Sequence, residues 1–140
     1  MEIRAYAAHD LEWVHTTIPM GWFDATGLCR LADPSLSVTF MDGPTYCGSA
    51  GLFKLWEGVY EAWLVLAIPP PNPWEFLDHL RRALRLGERL TRAHRLQAYC
   101  LASYEAGQVV AHRCGFAAEG IMRAATPDKH DMILYAKVRG

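Results

Sequence analysis

The chain has 140 residues, 51% hydrophobic and 21% charged, and a net charge of −1. That length and apolar fraction support one globular core of ordinary size, so a single domain over 1–140 is expected. The near-neutral balance excludes global electrostatic attraction to nucleic acid or to an anionic membrane; any such binding needs a local patch.

The opening Met-Glu-Ile-Arg-Ala-Tyr lacks the basic and apolar regions of a signal peptide, and the longest apolar run, 62–68, is too short to span a bilayer. A cytoplasmic location is therefore expected. Cys29, Cys47, Cys100 and Cys114 are scattered, without a C-x-x-C pair or histidines at zinc-site spacing. They read as reduced thiols, and no metal site is expected.

In chain order, 2–8 alternates apolar and polar residues at first and predicts a short strand. Asp10 suits the N-cap of a helix over 11–17, which Pro19 stops. The stretch 20–33 has no clear period and predicts a second short helix with loops. Residues 36–41 (L-S-V-T-F-M) alternate with period two, and Asp42-Gly43 turns the chain into a returning strand over 45–55. Gly48 and Gly51 within it mark a bulge or a close backbone approach. Glu57-Gly58 leads into a third strand, 59–68, whose nearly continuous apolar end is that of a central strand covered on both faces.

Pro69, Pro70, Pro71 and Pro73 then precede one long amphipathic helix ending near Ala93 or His94. Asn72 is placed as N-cap, Pro73 as N1 and Glu75 as the capping-box partner. Phe76, Leu77, Leu80, Ala83, Leu84, Gly87 and Leu90 share one face. Arg81, Arg82, Arg85, Arg89 and Arg92 cover the rest. With Asp78 and Glu88 beside them, they read as a solvated face rather than a phosphate-backbone contact. A strand over 96–102 and a helix over 104–113 follow, the helix closed by Cys114-Gly115 with Phe116 folding back. A hairpin of 120–125 and 132–138 turns around Pro127-Asp128. In His112-Arg113-Cys114, a Cys/His nucleophile is disfavoured because residues two apart at a helix end occupy different faces.

The element order β-α-(α)-β-β-β-α-β-α-β-β resembles that of the GNAT (Gcn5-related N-acetyltransferase) superfamily. Cys114-Gly115-Phe116 with Glu119-Gly120 is similar to its helix-ending G-F-x-x-x-G segment, and His130–Tyr135 (H-D-M-I-L-Y) is similar to its closing strand. The resemblance implies an α/β (α+β) fold with a mixed, mostly antiparallel sheet flanked by helices. It also implies direct transfer of an acetyl group from acetyl-CoA to an amine. That chemistry needs an anion site for the pyrophosphate, a carboxylate base and a proton donor for the leaving thiolate. Glu61 stands where many relatives carry the carboxylate, although a solvated or paired Glu is the plainer reading. The usual Tyr, four residues before the Gly of the G-F pair, is Ala111 here, and Tyr104 is the remaining donor candidate.

Pantetheine would be gripped by backbone groups of the splayed strands, through Val65, Leu66 and Ala67, with Asn72 at the helix start. The family's Gly-rich pyrophosphate loop is replaced by prolines, which leave only Asn72 with an N–H across 69–73. Trp74, Glu75 and Phe76 keep first-turn amides. The arginines begin about 12 Å along the helix at 1.5 Å per residue, beyond easy reach of a phosphate at its start. Two functions therefore stand open: an N-acetyltransferase with an unusual acyl-CoA site, or a non-catalytic structural or interaction module. Small phage-encoded proteins of this type, some virion-associated, look similar. That resemblance implies host cytoplasm or virion as location, and a second copy or a virion protein as partner; nucleic acid and membrane are not expected partners.

Overall fold

A computed structural model describes residues 1–7, 9–10 and 32–139. The helix expected over 11–17 and most of the segment 20–33 lie outside the described residues. Seven strands form one sheet: β1 (Glu2–Ala5), β2 (Ser37–Asp42), β3 (Thr45–Trp56), β4 (Val59–Leu66), β5 (Arg95–Leu101), β6 (Ala117–Met122) and β7 (Met132–Val138). Two helices accompany them, α1 (Pro73–Thr91) and α2 (Glu105–Arg113), and a short 3-10 turn, Pro34–Leu36, leads into β2. The strand order is β1-β2-β3-β4-β5-β7-β6. Every neighbouring pair is antiparallel except β4 and β5, which run parallel. A parallel pair requires a crossover, and α1 supplies it.

Strand alternation sorts the two faces. Phe40, Ala50, Leu52, Leu96 and Tyr135 join Phe76 and Leu80 of α1 and Phe116 in the core. Phe40 and Phe76 meet edge to face at 5.2 Å. The opposite face near β2 and β3 is polar. There Asp10, 1% exposed, accepts from Arg4, from Thr39 Oγ1 at 2.8 Å and from the Ala7 N–H at 2.9 Å. Thr39 Oγ1 lies 2.8 Å from Ser49 Oγ, which lies 2.8 Å from the Tyr46 hydroxyl.

Several boundaries differ from the sequence expectation, each for a local reason. β1 ends at Ala5 rather than residue 8, because Ala7 and Asp10 bond to each other: Asp10 N–H donates to Ala7 O at 2.9 Å. β4 ends at Leu66, shortly before the prolines. Leu90 is 63% exposed and not part of the buried face of α1. The buried row instead runs in steps of four from Phe76 through Leu80 and Leu84 to Glu88, which Lys137 of β7 holds at 2.8 Å. α1 stops at Thr91 because Arg92 adopts a left-handed conformation, φ 53° and ψ 29°. β6 starts at Ala117, three residues early, since its ladder with β7 already begins at the Ala117–Ala136 pair.

Gly48 and Gly51 are sites of close approach. A Cβ at Gly48 would strike the Val65 carbonyl, and one at Gly51 would strike the Ser37 hydroxyl and the Trp63 ring. The irregularity in the β2–β3 ladder falls beside Gly48, between Phe40 and Met41. At the end of α2, Gly115 has φ +91°, its N–H donates to His112 O at 3.0 Å, and the Phe116 N–H donates to Ala111 O at 3.0 Å. That is a Schellman cap, and it turns Phe116 back into the core.

Candidate functional site

The parallel pairing of β4 with β5 covers only Val59–Glu61 against Arg95–Gln97. Beyond that point β4 stays paired with β3 as far as Leu66, and β5 stays paired with β7 as far as Leu101. The facing edges of the two strands thus run on without ladder bonds between them, and a cleft opens in the sheet. The β4–α1 junction and the N-terminus of α2 both lie at its open end, since each follows the carboxyl end of one of the two strands.

Glu61 occupies the last paired position, opposite Gln97 on one side and Phe53 on the other. Burial pushes its carboxyl up to about 7, with no compensating cation or hydrogen-bond donor among the described residues. It is half-buried and makes no ion pair with another described residue. Trp63, two residues on and on the same face, has its ring against Gly51 and a buried indole N–H with no acceptor among the described residues.

The wall of β5 carries a hydrogen-bonded series that sequence reasoning missed. Arg95 donates to both oxygens of Glu119 at 3.1 and 2.7 Å, and its Nε donates to Gln97 Oε1 at 3.1 Å. Gln97 Nε2 in turn donates to the Tyr99 hydroxyl at 3.2 Å. Residues 95, 97 and 99 share one face of β5, the face of Glu61, so alternation alone was the available signal. Tyr104 is the N-cap residue of α2, 43% exposed, at the open end of the cleft. Tyr99 and Tyr104 thus sit on the wall and at the mouth of the same opening.

Of the backbone groups expected to meet a ligand, Ala67 has already given its N–H to Cys47 O at 2.7 Å. Val65 is buried at 1% exposure and Leu66 packs on the core. Asn72 is the N-cap: its Oδ1 accepts from the Glu75 N–H at 3.2 Å and its carbonyl from the Phe76 N–H at 3.0 Å. Two of the three first-turn amides, those of Glu75 and Phe76, are therefore used in the cap. The prolines and these cap bonds leave few free backbone N–H groups at this junction.

Side chains fill the same place. Asn72, Trp74, Glu75, Leu77, Asp78, Arg81 and Arg113 line a cavity of about 510 Å³. Arg81, expected to be out of reach of the helix start, stands more than two turns along the axis, yet its long side chain lines the same cavity as Asn72. Arg113 arrives from the end of α2 and lies 4.7 Å above the Trp74 ring, itself 67% exposed. The two acidic side chains are engaged elsewhere. Glu75 accepts from the Met1 amino group at 2.8 Å, and Asp78 pairs with Arg82 at 3.3 Å. No carboxylate among the described residues pairs with Arg81 or Arg113. The pocket thus offers two guanidinium groups and one flat aromatic surface, a combination suited to phosphate and a heteroaromatic ring.

Elsewhere, His112 packs edge-on against Tyr135 at 5.5 Å between ring centres. Cys47 and Cys114 are buried and Cys100 is half-buried; all three are free thiols, and burial pushes each thiol up. Among the described residues no group of three or more His, Cys, Asp or Glu side chains is placed to hold a metal ion. No described helix is long and apolar enough to cross a membrane.

A parallel pair that splays at its carboxyl ends, within an otherwise antiparallel sheet flanked by helices, defines the GNAT acetyltransferase fold. No family model and no curated protein sequence matches the chain. Solved structures do. A GNAT-family acetyltransferase from Bacillus anthracis aligns with a TM-score of 0.71 at 20% identity, over 97% of this chain and 93% of its own. The ribosomal-protein-alanine N-acetyltransferase from Brucella melitensis gives 0.74 at 16% identity over 99% of both chains. A variant of the spermidine N-acetyltransferase from Vibrio cholerae gives 0.71 at 17% identity, over 99% of this chain and 95% of its own. At these identities the likeness establishes the fold. The named acceptors, a protein alanine and a polyamine, differ from one another, so the fold selects no acceptor.

Proposed function

We propose that the chain is an acetyl-CoA-dependent N-acetyltransferase that holds the nucleotide end of its substrate with side chains instead of a glycine-rich loop. The observation that carries this reading is Glu61, an unpaired carboxyl pushed up to about 7 at the apex of the β4–β5 cleft. A general base works best when its pKa lies near the operating pH, and burial alone brings Glu61 there. The cavity of Trp74, Arg81 and Arg113 supports the fit of the other end, because its two lining carboxylates, Glu75 and Asp78, pair with Met1 and Arg82 instead of with its cations.

Bound acetyl-CoA would supply the thioester acyl group. Glu61 removes a proton from the acceptor ammonium, so that the nitrogen presents its lone pair. Tyr99 and Tyr104 are the hydroxyls placed at the cleft to return a proton to sulfur, Tyr99 being oriented by Gln97 and Arg95. Arg81 and Arg113 hold phosphate, and Trp74 offers a stacking surface.

A second reading, a non-catalytic module of the same fold that binds a second copy or another protein, for example within a phage particle, draws on the proline wall and the few free backbone N–H groups it leaves. Thermal melting with millimolar acetyl-CoA separates the two. A ligand at 100 times its Kd adds about 2.7 kcal/mol. The transferase reading expects that stabilisation in the wild type and in Glu61→Gln, with acetyl transfer lost only in the variant. No shift at any concentration up to several millimolar would sink it and leave the module.

A further inference from the structure

At the end of α1 remote from the prolines, Glu88, Arg89, Arg92, Ala93, His94 and Arg139 line a second cavity, of about 360 Å³. Its walls are tied together by backbone bonds. The His94 N–H donates to Gly58 O at 3.0 Å, and the Arg139 N–H donates to His94 O at 2.8 Å. The turn before β4, the end of α1 and the residue after β7 therefore meet in a fixed arrangement.

Its charge is one-sided. Among the described residues Glu88 is the only carboxylate lining the cavity, and Lys137 engages it at 2.8 Å. No carboxylate among the described residues pairs with Arg89, Arg92 or Arg139. Three guanidinium groups thus share one cavity without an unengaged carboxylate among the described residues, in a chain whose net charge is −1. The helix dipole favours cations in a last turn, which accounts for Arg89. It does not account for Arg139, which comes from the far end of the chain. Nor does it account for Arg92, whose left-handed backbone (φ 53°, ψ 29°) is the C-cap geometry that Gly or Asn ordinarily takes.

We propose that this cavity is a second anion site, one that takes a small phosphate-bearing molecule. Each guanidinium fork matches two phosphate oxygens at once, and the volume lies at the lower end of small-ligand cavities. The site is independent of the acetyl-CoA reading. The two cavities have no lining residue in common, and along α1 their nearest lining residues, Arg81 and Glu88, stand seven positions or roughly 10 Å apart.

Amide NMR during a titration of the full chain with inorganic pyrophosphate tests the proposal. Arg92, His94 and Arg139 report this cavity, and Trp74 and Glu75 report the other, so the two readings fail separately. Saturable shifts at the first group are expected, weakened about tenfold or more in Arg92→Gly and in Arg139→Ala, as for loss of a charge-assisted hydrogen bond. Arg92→Gly keeps the left-handed backbone without strain. Its melting temperature should therefore equal or exceed that of the wild type, so lost binding cannot be lost folding. Unchanged binding in both variants, or shifts confined to Trp74 and Glu75, overturns the proposal. So does a single-stranded oligonucleotide that saturates Arg92, His94 and Arg139 where pyrophosphate does not, since the surface is then a nucleic-acid contact.

Discussion

Glu61 and Gln97 face each other at the last position where β4 and β5 are paired, and the strands separate directly beyond them. A carboxyl at that apex is withdrawn from water yet opens onto a cleft. Burial lifts it from 4.5 to about 7, so the folded protein holds a proton there that the unfolded chain has released. The stability contribution is fully present below pH 4.5 and is lost as pH rises through about 7. Replacing Glu61 by Gln removes the loss. We expect Glu61→Gln to match the wild type near pH 4, to gain on it up to about pH 7, and to stay ahead by about 3 kcal/mol above that. Urea melts across pH read the difference directly. A constant offset at all pH values would show that the carboxyl is ordinary.

In the proposed reaction the same proton governs turnover. Acetylation of an amine acceptor should rise with pH through about 7 in the wild type. The rise should disappear in Glu61→Gln together with roughly 10² to 10⁴ of the rate, the usual contribution of a general base. Initial rates against pH are the measurement. A variant that keeps both the rate and the profile removes Glu61 from the chemistry.

Arg113 and Trp74 meet from two different helices, and the cavity beneath them is where the nucleotide end of acetyl-CoA is proposed to sit. Losing one charge-assisted contact costs about 1.5–3 kcal/mol, or roughly ten- to a hundredfold in affinity. Arg113→Ala and Arg81→Ala should each raise KM for acetyl-CoA by that factor and leave kcat nearly unchanged, because neither touches the reacting atoms. A fall in kcat at constant KM would place these arginines elsewhere in the cycle.

Most of the sheet was legible because period two and turn chemistry are local. The β2–β3–β4 meander, the Asn72 cap and the Gly115 stop all follow from residues within a few positions of one another. The cleft was legible only as topology. The single register fact that puts Glu61 at its apex depends on where β5 stops pairing, a contact 36 residues away along the chain that no local pattern encodes. The cavity at the β4–α1 junction was not legible for the same reason. Measuring along the helix axis kept Arg81 distant, whereas the side chain lines the space above Asn72, and Arg113 comes from another helix altogether. Leu90 fell on the wrong side because Glu88, polar and so discounted, is buried by an ion pair with Lys137.

Asp10 organises the polar face. Burial pushes its carboxyl up, but the Arg4 guanidinium, the Ala7 N–H and the Thr39 hydroxyl together bring it below its ordinary value. The stabilisation is then present above pH 3.8 and lost as pH falls through the lowered value. Asp10→Ala leaves Thr39 and Ala7 without their acceptor and should cost about 2–3 kcal/mol at neutral pH. The gap to the wild type should narrow in acid. Chemical denaturation at pH 7 and pH 3 checks both statements, and an equal penalty at the two pH values would rule out an ionised Asp10.

Gly115 carries the reversal from α2 into β6. Its φ of +91° suits no side chain, and a Cβ there would also lie 3.2 Å from Lys137 Cε. Lys137 can move aside, so the backbone term dominates, and left-handed strain for an L-residue amounts to about 1–2 kcal/mol. Gly115→Ala should destabilise by that amount, with Phe116 partly drawn from the core as the cap relaxes. Gly120, in β6, has nothing within 4 Å of a built Cβ and no positive φ, so Gly120→Ala provides the matched control. Its effect should stay within about 0.5 kcal/mol, as for an unconstrained surface change. If the two alanine variants unfold at the same denaturant concentration, the Schellman cap is not what fixes the end of α2.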